Sequence, residues 1–270
     1  MDILVASLSS GLIALILASL LIYSSKIFKV DTDERVTELT DMLPGANCGG
    51  CGFPGCAQFA KALVDDKAPV DGCVVGGAAT TDIVANYLGK VAPVPKEKTR
   101  AYIFCHGHAG IVKSSKDYNG VETCVSAVQA GGNRDCSYGC VGFYDCMRAC
   151  PFDAIIKSDT GVPIIVEEKC TSCSACVVAC PQNLIEIHPV SQKYHVYCKS
   201  LDKGVAAKKA CDRACIGCSL CVKGTAEGGM AIKDNLAVVN YADYKLTEES
   251  IAKCPTKAIT DERVNSVINV

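Results

Sequence analysis

The hydrophobic pattern is strongest at the N-terminus. Residues from Ile3 to Ser25 include no charged side chain, and Lys26 and Lys29 follow directly. A helix of this length crosses a hydrocarbon core of about 30 Å. Because the first lysines follow the apolar run, the positive-inside rule places the N-terminus outside and the remaining chain in the cytoplasm. We therefore predict a single-pass anchor over residues 1–30 in the cell (inner) membrane.

A secretory signal peptide is the alternative interpretation of this segment. The segment lacks a basic n-region, its apolar run is too long, and no small-x-small cleavage site ends it. A retained anchor is therefore favoured. The body of the chain then lies in a reducing compartment, which disfavours structural disulfides.

Beyond the anchor, the periodic segments are short. An amphipathic helix is predicted over Val36–Leu43, an apolar helix over Ala57–Val64, and strands over Val162–Val166 and Leu184–His188. A Pro- and Lys-rich stretch at 89–100 indicates a linker. The predicted fold is α+β, with a transmembrane helix and then small modules over 31–90, 134–190 and 191–270, the first two joined by a linker and connecting segment over 91–133.

Composition explains why small modules are expected. Tryptophan is absent and aromatic residues make up 6% of the 270 residues, whereas 20 residues are cysteine. Small modules usually need a metal or disulfides for stability, and cysteine at this density indicates disulfides, zinc or iron–sulfur clusters. The net charge of −2 gives no basic footprint for nucleic acid.

The first cysteine group lies in a loop rich in Gly and Pro. Three cysteines fall within nine residues and a fourth follows sixteen residues later, as Cys48, Cys51, Cys56 and Cys73. Zinc also accepts four thiolates, but its sites more often use paired Cys-x2-Cys knuckles. We therefore predict a single 4Fe–4S cluster in module 31–90.

The densest pattern consists of two runs, each closed by Cys-Pro. The second run, from Cys170 to Cys180, has the spacing of bacterial two-cluster ferredoxins, in which the fourth cysteine of each run binds the other cluster. The first run is irregular, because Phe143 stands where a cysteine is expected, and we assign the missing thiolate to Cys136. The predicted ligand sets are Cys136, Cys140, Cys146 and Cys180 for one cluster, and Cys150, Cys170, Cys173 and Cys176 for the other.

A degenerate copy of this unit closes the chain. One complete ligand set remains, namely Cys215, Cys218, Cys221 and Cys254. The positions of the other set are occupied by Thr225, Tyr244, Thr247 and Ser250. Because one set is lost as a whole and the other is kept as a whole, we predict that this degenerate ferredoxin-like domain holds one cluster.

Four cysteines remain outside these sets: Cys105, Cys124, Cys198 and Cys211. Buried thiols acting as small apolar groups are the favoured interpretation. A fifth cluster or another metal site is the alternative, and Cys211 could also exchange roles with Cys218. At least three 4Fe–4S clusters are expected, and four are predicted.

The order of anchor, single-cluster module, ferredoxin module and degenerate repeat resembles the B subunits of Rnf complexes, which are membrane-bound ferredoxin:NAD⁺ oxidoreductases that couple electron transfer to Na⁺ or H⁺ movement. The resemblance covers essentially the whole chain. It implies that this subunit accepts electrons from soluble ferredoxin and relays them to membrane subunits, where NAD⁺ reduction at a flavin and ion passage occur. The vacant cluster position departs from the expected repeat and leaves the length and order of the relay open.

No catalytic residue can be singled out in this chain. No Gly-x-Gly-x-x-Gly sequence lies between a strand and a helix, so no nucleotide site is indicated, and no Ser/His/Asp or paired-carboxylate arrangement can be singled out. His106 and His108 lie beside Cys105 and suggest a metal site, but surface-loop histidines are the favoured interpretation. The predicted role is that of an electron-transfer subunit without a complete active site of its own.

Basic residues are concentrated between 193 and 213. Two acidic residues, Asp202 and Asp212, accompany six basic ones: Lys193, Lys199, Lys203, Lys208, Lys209 and Arg213. Such runs are usually solvated helix faces. The functional hypothesis is a docking patch for an acidic ferredoxin.

Two other functions would use the same residues. One is a polyferredoxin-like wire for another membrane redox complex, such as a hydrogenase or formate system, which neighbouring genes would distinguish. The other is a zinc-stabilised scaffold without a redox role. A colourless protein that contains zinc and no iron would support the scaffold.

Overall fold

The computed structural model describes residues 2–27 and 33–261. The first helix, α1, extends over Asp2–Ile27, whereas Lys29 and the predicted end of the anchor at residue 30 lie outside the described residues. Between residues 11 and 24, the large apolar side chains of α1 are 56% to 68% exposed. Within the described part of the chain, no helix meets the length and apolarity that a membrane span requires. The anchor therefore stays a prediction.

Three helices build the first module: α2 (Glu34–Met42), α3 (Cys56–Val64) and α4 (Gly77–Leu88). The Asp33 carboxylate caps α2 by accepting from the Arg35 amide at 3.0 Å. Gly89 ends α4 in a left-handed conformation with φ 65°. The helices pack around Leu39, Phe59 and Leu63, each at most 2% exposed. Both helices predicted in this module are confirmed, with shifts of one or two residues at their ends.

The second unit begins earlier than predicted. Strand β1 (Thr99–Ile103) pairs antiparallel with β4 (Ile185–Pro189), and β2 (Ile155–Ile156) pairs with β3 (Ile164–Ile165). Three short helices complete it: α5 (Cys124–Gln129), α6 (Asp145–Arg148) and α7 (Ala175–Ala179). Assigning 91–133 to a linker and connecting segment was therefore wrong for β1 and α5, because β1 hydrogen-bonds along β4. The predicted strands at 162–166 and 184–188 correspond to β3 and β4.

The third unit repeats this arrangement. Strand β5 (Tyr194–Val196) pairs with β8 (Ile259–Asp261), as β1 pairs with β4, and β6 (Met230–Lys233) pairs with β7 (Leu236–Val239), as β2 pairs with β3. Its helices are α8 (Gly204–Ala210), α9 (Leu220–Lys223) and α10 (Glu248–Ala252), with a 3-10 turn at Tyr241–Asp243. The repeat inferred from cysteine spacing therefore has a matching strand order.

The two repeats pack against each other through buried aromatic rings. His195 is fully buried, and its ring centroid lies 4.2 Å from that of Tyr102. Phe104, just after β1, stacks on Tyr197, just after β5, with centroids 6.0 Å apart. The His106 amide also donates to the Tyr197 carbonyl at 3.3 Å. Residues directly after the first strand of each repeat therefore lie side by side.

Candidate metal centres

All 20 cysteines lie within the described residues, and each is a free thiol. Among the described residues, no group of three or more His, Cys, Asp or Glu side chains is arranged to hold a single metal ion. A 4Fe–4S cluster makes a different demand, because each cysteine binds a separate iron. Its ligands therefore surround a pocket and do not converge on one point.

The first module brings its four predicted ligands together. Cys48, Cys51, Cys56 and Cys73 line one pocket of about 340 Å³. The Asn47 side chain fixes the loop by accepting from the Cys56 amide at 2.9 Å, and the Gly76 amide donates to the Cys73 sulfur at 3.4 Å. Burial raises the pKa of the Cys73 thiol. The donor set fits a cluster whose iron would replace the thiol protons.

The second predicted set also assembles. Burial raises the pKa of Cys176 to about 12, and the neighbouring thiols of Cys170, Cys173 and Cys150 raise it further. These neighbours are the other three members of the predicted set. The Ala101 amide of β1 donates to the Cys170 sulfur at 3.4 Å. Strand β1, which lies in the segment predicted to be a linker and connecting segment, therefore forms one edge of this site.

The third set differs from the prediction by one ligand. A pocket of about 400 Å³ is lined by Cys140, Cys146 and Cys180, and its fourth cysteine is Cys124. Burial raises the pKa of Cys146 to about 12, with further increases from Cys124 and Cys180. Cys136 instead lines a different pocket. The assignment of Cys136 to this set is therefore corrected, because the fold places the sulfur of Cys124 there.

The local backbone explains how Cys124 substitutes for the missing ligand. Tyr144 has φ 59°, like Ser174 and Ser219 at the equivalent positions of the other runs, with φ 64° and 62°. The ligand loop is therefore retained although residue 143 is phenylalanine. Phe143 packs against the small apolar cluster that contains Cys124, and the Cys124 amide donates to the Asp145 carboxylate at 2.8 Å. In the sequence, only the absence of a cysteine at position 143 pointed to an unusual ligand, and it did not indicate which thiol takes that place.

The structure also brings together the four cysteines of the predicted C-terminal set. Burial raises the pKa of Cys221 to about 11, and the neighbouring thiols of Cys215, Cys254 and Cys218 raise it further. Amides of Ala237 and Ala258 donate to the sulfurs of Cys215 and Cys254 at 3.4 and 3.3 Å. Cys218 is exposed, so this site reaches the protein surface. Cys211 lines another pocket and does not replace Cys218.

In this repeat, the side chains at the positions of the missing ligand set are hydrogen-bonded. Ser250 is fully buried, and its hydroxyl donates to the Gly224 carbonyl at 3.0 Å. The Thr225 hydroxyl donates to the Cys221 carbonyl at 2.9 Å. Tyr244 donates to the Tyr194 carbonyl at 3.0 Å. The side chains that replaced this ligand set therefore bond the backbone.

The interpretation of His106 as a surface-loop residue was wrong. Its side chain is 5% exposed, and its Nε2 lies 2.8 Å from the Thr260 hydroxyl. Burial lowers the pKa of His106 to about 3, so the ring is neutral at pH 7. His108 is half-buried and lies 3.2 Å from the Thr160 hydroxyl. Both histidines bond hydroxyl groups of the surrounding fold.

Neighbouring cysteine sets lie close to one another. The first module meets the second unit at Gly50, where an added Cβ would lie 3.1 Å from the Cys173 backbone. The Cys48 thiol contributes to the raised pKa of Cys173, although burial is the main cause. Within the second unit, Cys176 likewise acts on Cys146. Three sets therefore follow one another without an intervening module.

Four-cysteine pockets on short paired strands and helices define an iron–sulfur protein of the ferredoxin-like class. Family models support this class: residues 43–75 match a model described as an Fe-S cluster, and residues 135–185 match a 4Fe-4S dicluster domain. Over 93% of its length, the chain is 38% identical to the B subunit of the Na⁺-translocating ferredoxin:NAD⁺ oxidoreductase complex of Acetobacterium woodii, covering 76% of that protein. The chain belongs to the family of B subunits of ion-translocating oxidoreductase (Rnf) complexes.

Two further relatives extend this comparison. The B subunit of the proton-translocating ferredoxin:NAD⁺ oxidoreductase complex of Clostridium ljungdahlii is 40% identical over 92% of this chain and 88% of its own. The B subunit of the ion-translocating oxidoreductase complex of Methanosarcina acetivorans is 37% identical over 89% of this chain and 91% of its own. These alignments extend beyond both matched domains, so the resemblance inferred from cysteine order is confirmed.

Proposed function

We propose that this chain is the iron–sulfur electron-transfer subunit of an ion-translocating ferredoxin:NAD⁺ oxidoreductase. It accepts electrons from reduced ferredoxin and passes them to other subunits of the complex, which carry the flavin and the ion path. A bound 4Fe–4S cluster supplies one-electron chemistry. The observation that carries the proposal is the row of adjoining cysteine sets from the first module through the second unit.

The protein's own contribution is to position these sets and to shield them. Gly50 lacks a side chain, which permits close approach of the first loop to Cys173. Backbone amides donate to the sulfurs of Cys73, Cys170 and Cys180 at 3.4 Å each. Hydrogen bonds to sulfur and solvent exposure set cluster potentials. The fold therefore supplies the groups that would tune each step of the relay.

The proposal is tested with the anaerobically purified full chain. Reduced ferredoxin should bleach its visible absorbance and produce the low-temperature EPR signals of reduced 4Fe–4S clusters, whereas the isolated chain should not reduce NAD⁺. Preparations free of iron would contradict an iron–sulfur role. Reduction by other donors but not by ferredoxin would instead favour the polyferredoxin-like alternative.

We also propose that α1 anchors the chain as a single span with the cysteine modules in the cytoplasm. Support comes from the uncharged run between Ile3 and Ser25, the lysines after it, and the exposed apolar side chains of α1. Alkaline extraction of membranes should leave the chain in the pellet. Protease added outside intact cells should leave the modules uncut, and their cleavage would contradict this orientation.

The structure refines the candidate docking patch. Lys199 pairs with Glu186 and is therefore engaged within the fold. Lys203, Lys208 and Lys209 are exposed on and before α8, whose first residue, Gly204, lies against Ile216 in the loop of the C-terminal set. Asp212 pairs with Lys113 at 3.1 Å, which offsets one of the two acidic charges in this stretch. We propose that this α8 patch, formed by the three exposed lysines, attracts an acidic ferredoxin.

Reversing two charges of the α8 patch should slow the encounter with ferredoxin. The double variant Lys208→Glu/Lys209→Glu should reduce the rate of ferredoxin oxidation by about tenfold at low salt, because steering depends on complementary charge. The difference should shrink as salt screens the surface. Stopped-flow absorbance at several ionic strengths measures both effects.

The matched control places the same charge change on another module. Lys61 and Lys67 are exposed on the first module, so Lys61→Glu/Lys67→Glu should leave the rate near that of the unmodified chain. If both double variants slow the reaction equally, the effect is one of net charge and not of the α8 patch. An unchanged rate and salt dependence for the α8 variant would remove the patch from the proposal.

A further inference from the structure

A further cysteine-lined pocket lies at the junction of the two repeats. Its volume is about 400 Å³, and its lining includes four cysteines that no other set uses: Cys105, Cys136, Cys198 and Cys211. The sequence also left four cysteines unassigned, but with Cys124 in the position of Cys136. Exchanging these two residues completes both sets. All 20 cysteines then fall into five groups of four.

The repeat structure shows that this junction pocket is built from corresponding positions. Cys105 lies two residues after β1, and Cys198 lies two residues after β5, the equivalent strand. Cys136 and Cys211 precede the next cysteine of their runs by four residues each. Each repeat therefore contributes the same pair of cysteines. Chance survival of idle thiols gives no reason for this correspondence.

Each sulfur in the junction pocket receives a backbone amide from two residues further along the chain. The Gly107 amide donates to the Cys105 sulfur at 3.3 Å. At the same offset, the backbone amides of Tyr138, Ser200 and Arg213 partly offset the rise that burial causes in the pKa of the other three thiols. The amide two residues after Cys140 and Cys173, both members of predicted cluster sets, also hydrogen-bonds its sulfur. The thiols of the pocket therefore have the local geometry of ligand loops.

The charges around the junction pocket suit a negative cofactor. Arg134, Lys199 and Arg213 line it, Lys199 being paired with Glu186, and its lining includes no carboxylate. A 4Fe–4S core bound by four thiolates carries net negative charge, and nearby positive charge stabilises it. The pocket thus combines four sulfur donors with compensating cations.

We propose that the junction pocket holds a fifth 4Fe–4S cluster, bound by the thiolates of its four cysteines. The proposal builds on the function inferred above and extends the relay that this function requires. The cluster would occupy the position between the second unit and the C-terminal set. Electrons would enter and leave it singly, from one neighbouring cluster to the next.

Contacts on both sides of the pocket support this position. The Cys140 amide donates to the Cys105 sulfur at 3.4 Å, which joins the pocket to the set that contains Cys124. On the other side, Cys198 packs against the hydrophobic cluster that includes Cys215 and Cys221. Without a cluster here, the C-terminal set would have no neighbouring cluster as close as those of the other sets. With it, five sites form one continuous row.

Iron and acid-labile sulfide per full chain, measured on anaerobic preparations, test the proposal. The unmodified chain should contain about 20 irons, because five clusters hold four each. Cys198→Ala and Cys105→Ala should each lose about four irons and one cluster EPR signal. The double variant should lose no more than either single variant, since both residues serve one cluster. Tyr138→Phe, a change in the pocket lining that keeps every sulfur, should retain all iron.

Other outcomes separate this proposal from the proposed function. About 16 irons in the unmodified chain, or full iron content in Cys198→Ala, would overturn the fifth cluster and leave the relay function in place. About 16 irons with one zinc would assign the pocket to a structural metal and would also overturn it. Iron losses that add in the double variant would contradict a shared cluster. Complete absence of iron would overturn the proposed function itself.

Discussion

Replacing Cys124 with alanine is expected to remove one whole 4Fe–4S cluster, about four irons per chain, and to interrupt the relay at its centre. The pocket that contains Cys124 lies between the Cys176 set and the junction pocket. Electrons that enter at one end should then fail to reach clusters at the other. Iron analysis gives the loss, and EPR after reduction by ferredoxin shows which clusters stay oxidised.

The same variant distinguishes the two ligand assignments. If Cys136 were the fourth ligand, as the run spacing suggested, Cys124→Ala would retain its full iron content. The neighbouring replacement Val125→Ala is the control, because Val125 is 47% exposed on the same helix and carries no sulfur. Full iron in Val125→Ala together with full iron in Cys124→Ala would contradict the assignment of Cys124.

Cys254→Ala should have the second largest effect. It should lose the C-terminal cluster, about four irons, and should loosen this module while the remaining clusters stay bound. The physical reason is that Cys215 and Cys221 are part of the module's small hydrophobic core, together with Met230, Leu236 and Ile259. Small metal-dependent modules couple ligand binding to folding. Limited proteolysis and iron analysis measure the two consequences.

Thr256→Ala is the matched control for this variant. The Thr256 hydroxyl lies 3.7 Å from the Cys254 sulfur in the same loop, but it is not in the ligand set. This change should keep the iron and the protease resistance, with at most a shift in cluster potential. If Cys254→Ala keeps its iron, or if Thr256→Ala loses the same amount, Cys254 is not the fourth ligand.

The five-site row would place the exposed C-terminal site at one end of the relay and the first module, which directly follows α1, at the other. Cys218 is exposed at the C-terminal end, and α8 begins against Ile216 of the same ligand loop, where an added Cβ at Gly204 would lie 2.8 Å from the Ile216 carbonyl oxygen. An acidic electron donor attracted by this patch would therefore dock at the entry point of the row. The direction of the proposed relay then agrees with the placement of the modules along the chain.

The sequence was sufficient to predict the cysteine sets whose members are close along the chain or lie in a regular run. Cys48, Cys51 and Cys56 share one loop, and the run that starts at Cys170 follows the spacing of two-cluster ferredoxins. The sequence also predicts that the last repeat keeps one cysteine set, because Thr225 and Ser250 stand at positions where the other set would have cysteines. Local spacing is sufficient in these cases, since the loop that carries the ligands is itself the site.

Packing between separate elements brings together the remaining cysteine sets, whose members could not be grouped from the sequence. Pairing of β1 with β4 draws residues 99–105 out of the expected linker, and the Asp145 carboxylate holds Cys124 beside Phe143. Packing of Phe104 on Tyr197 brings Cys105 and Cys198 to one junction. No spacing rule encodes these contacts, because they depend on how strands pair and repeats pack. The sequence therefore specified the number and type of sulfur donors, and the packing of the repeats specified which four share a pocket.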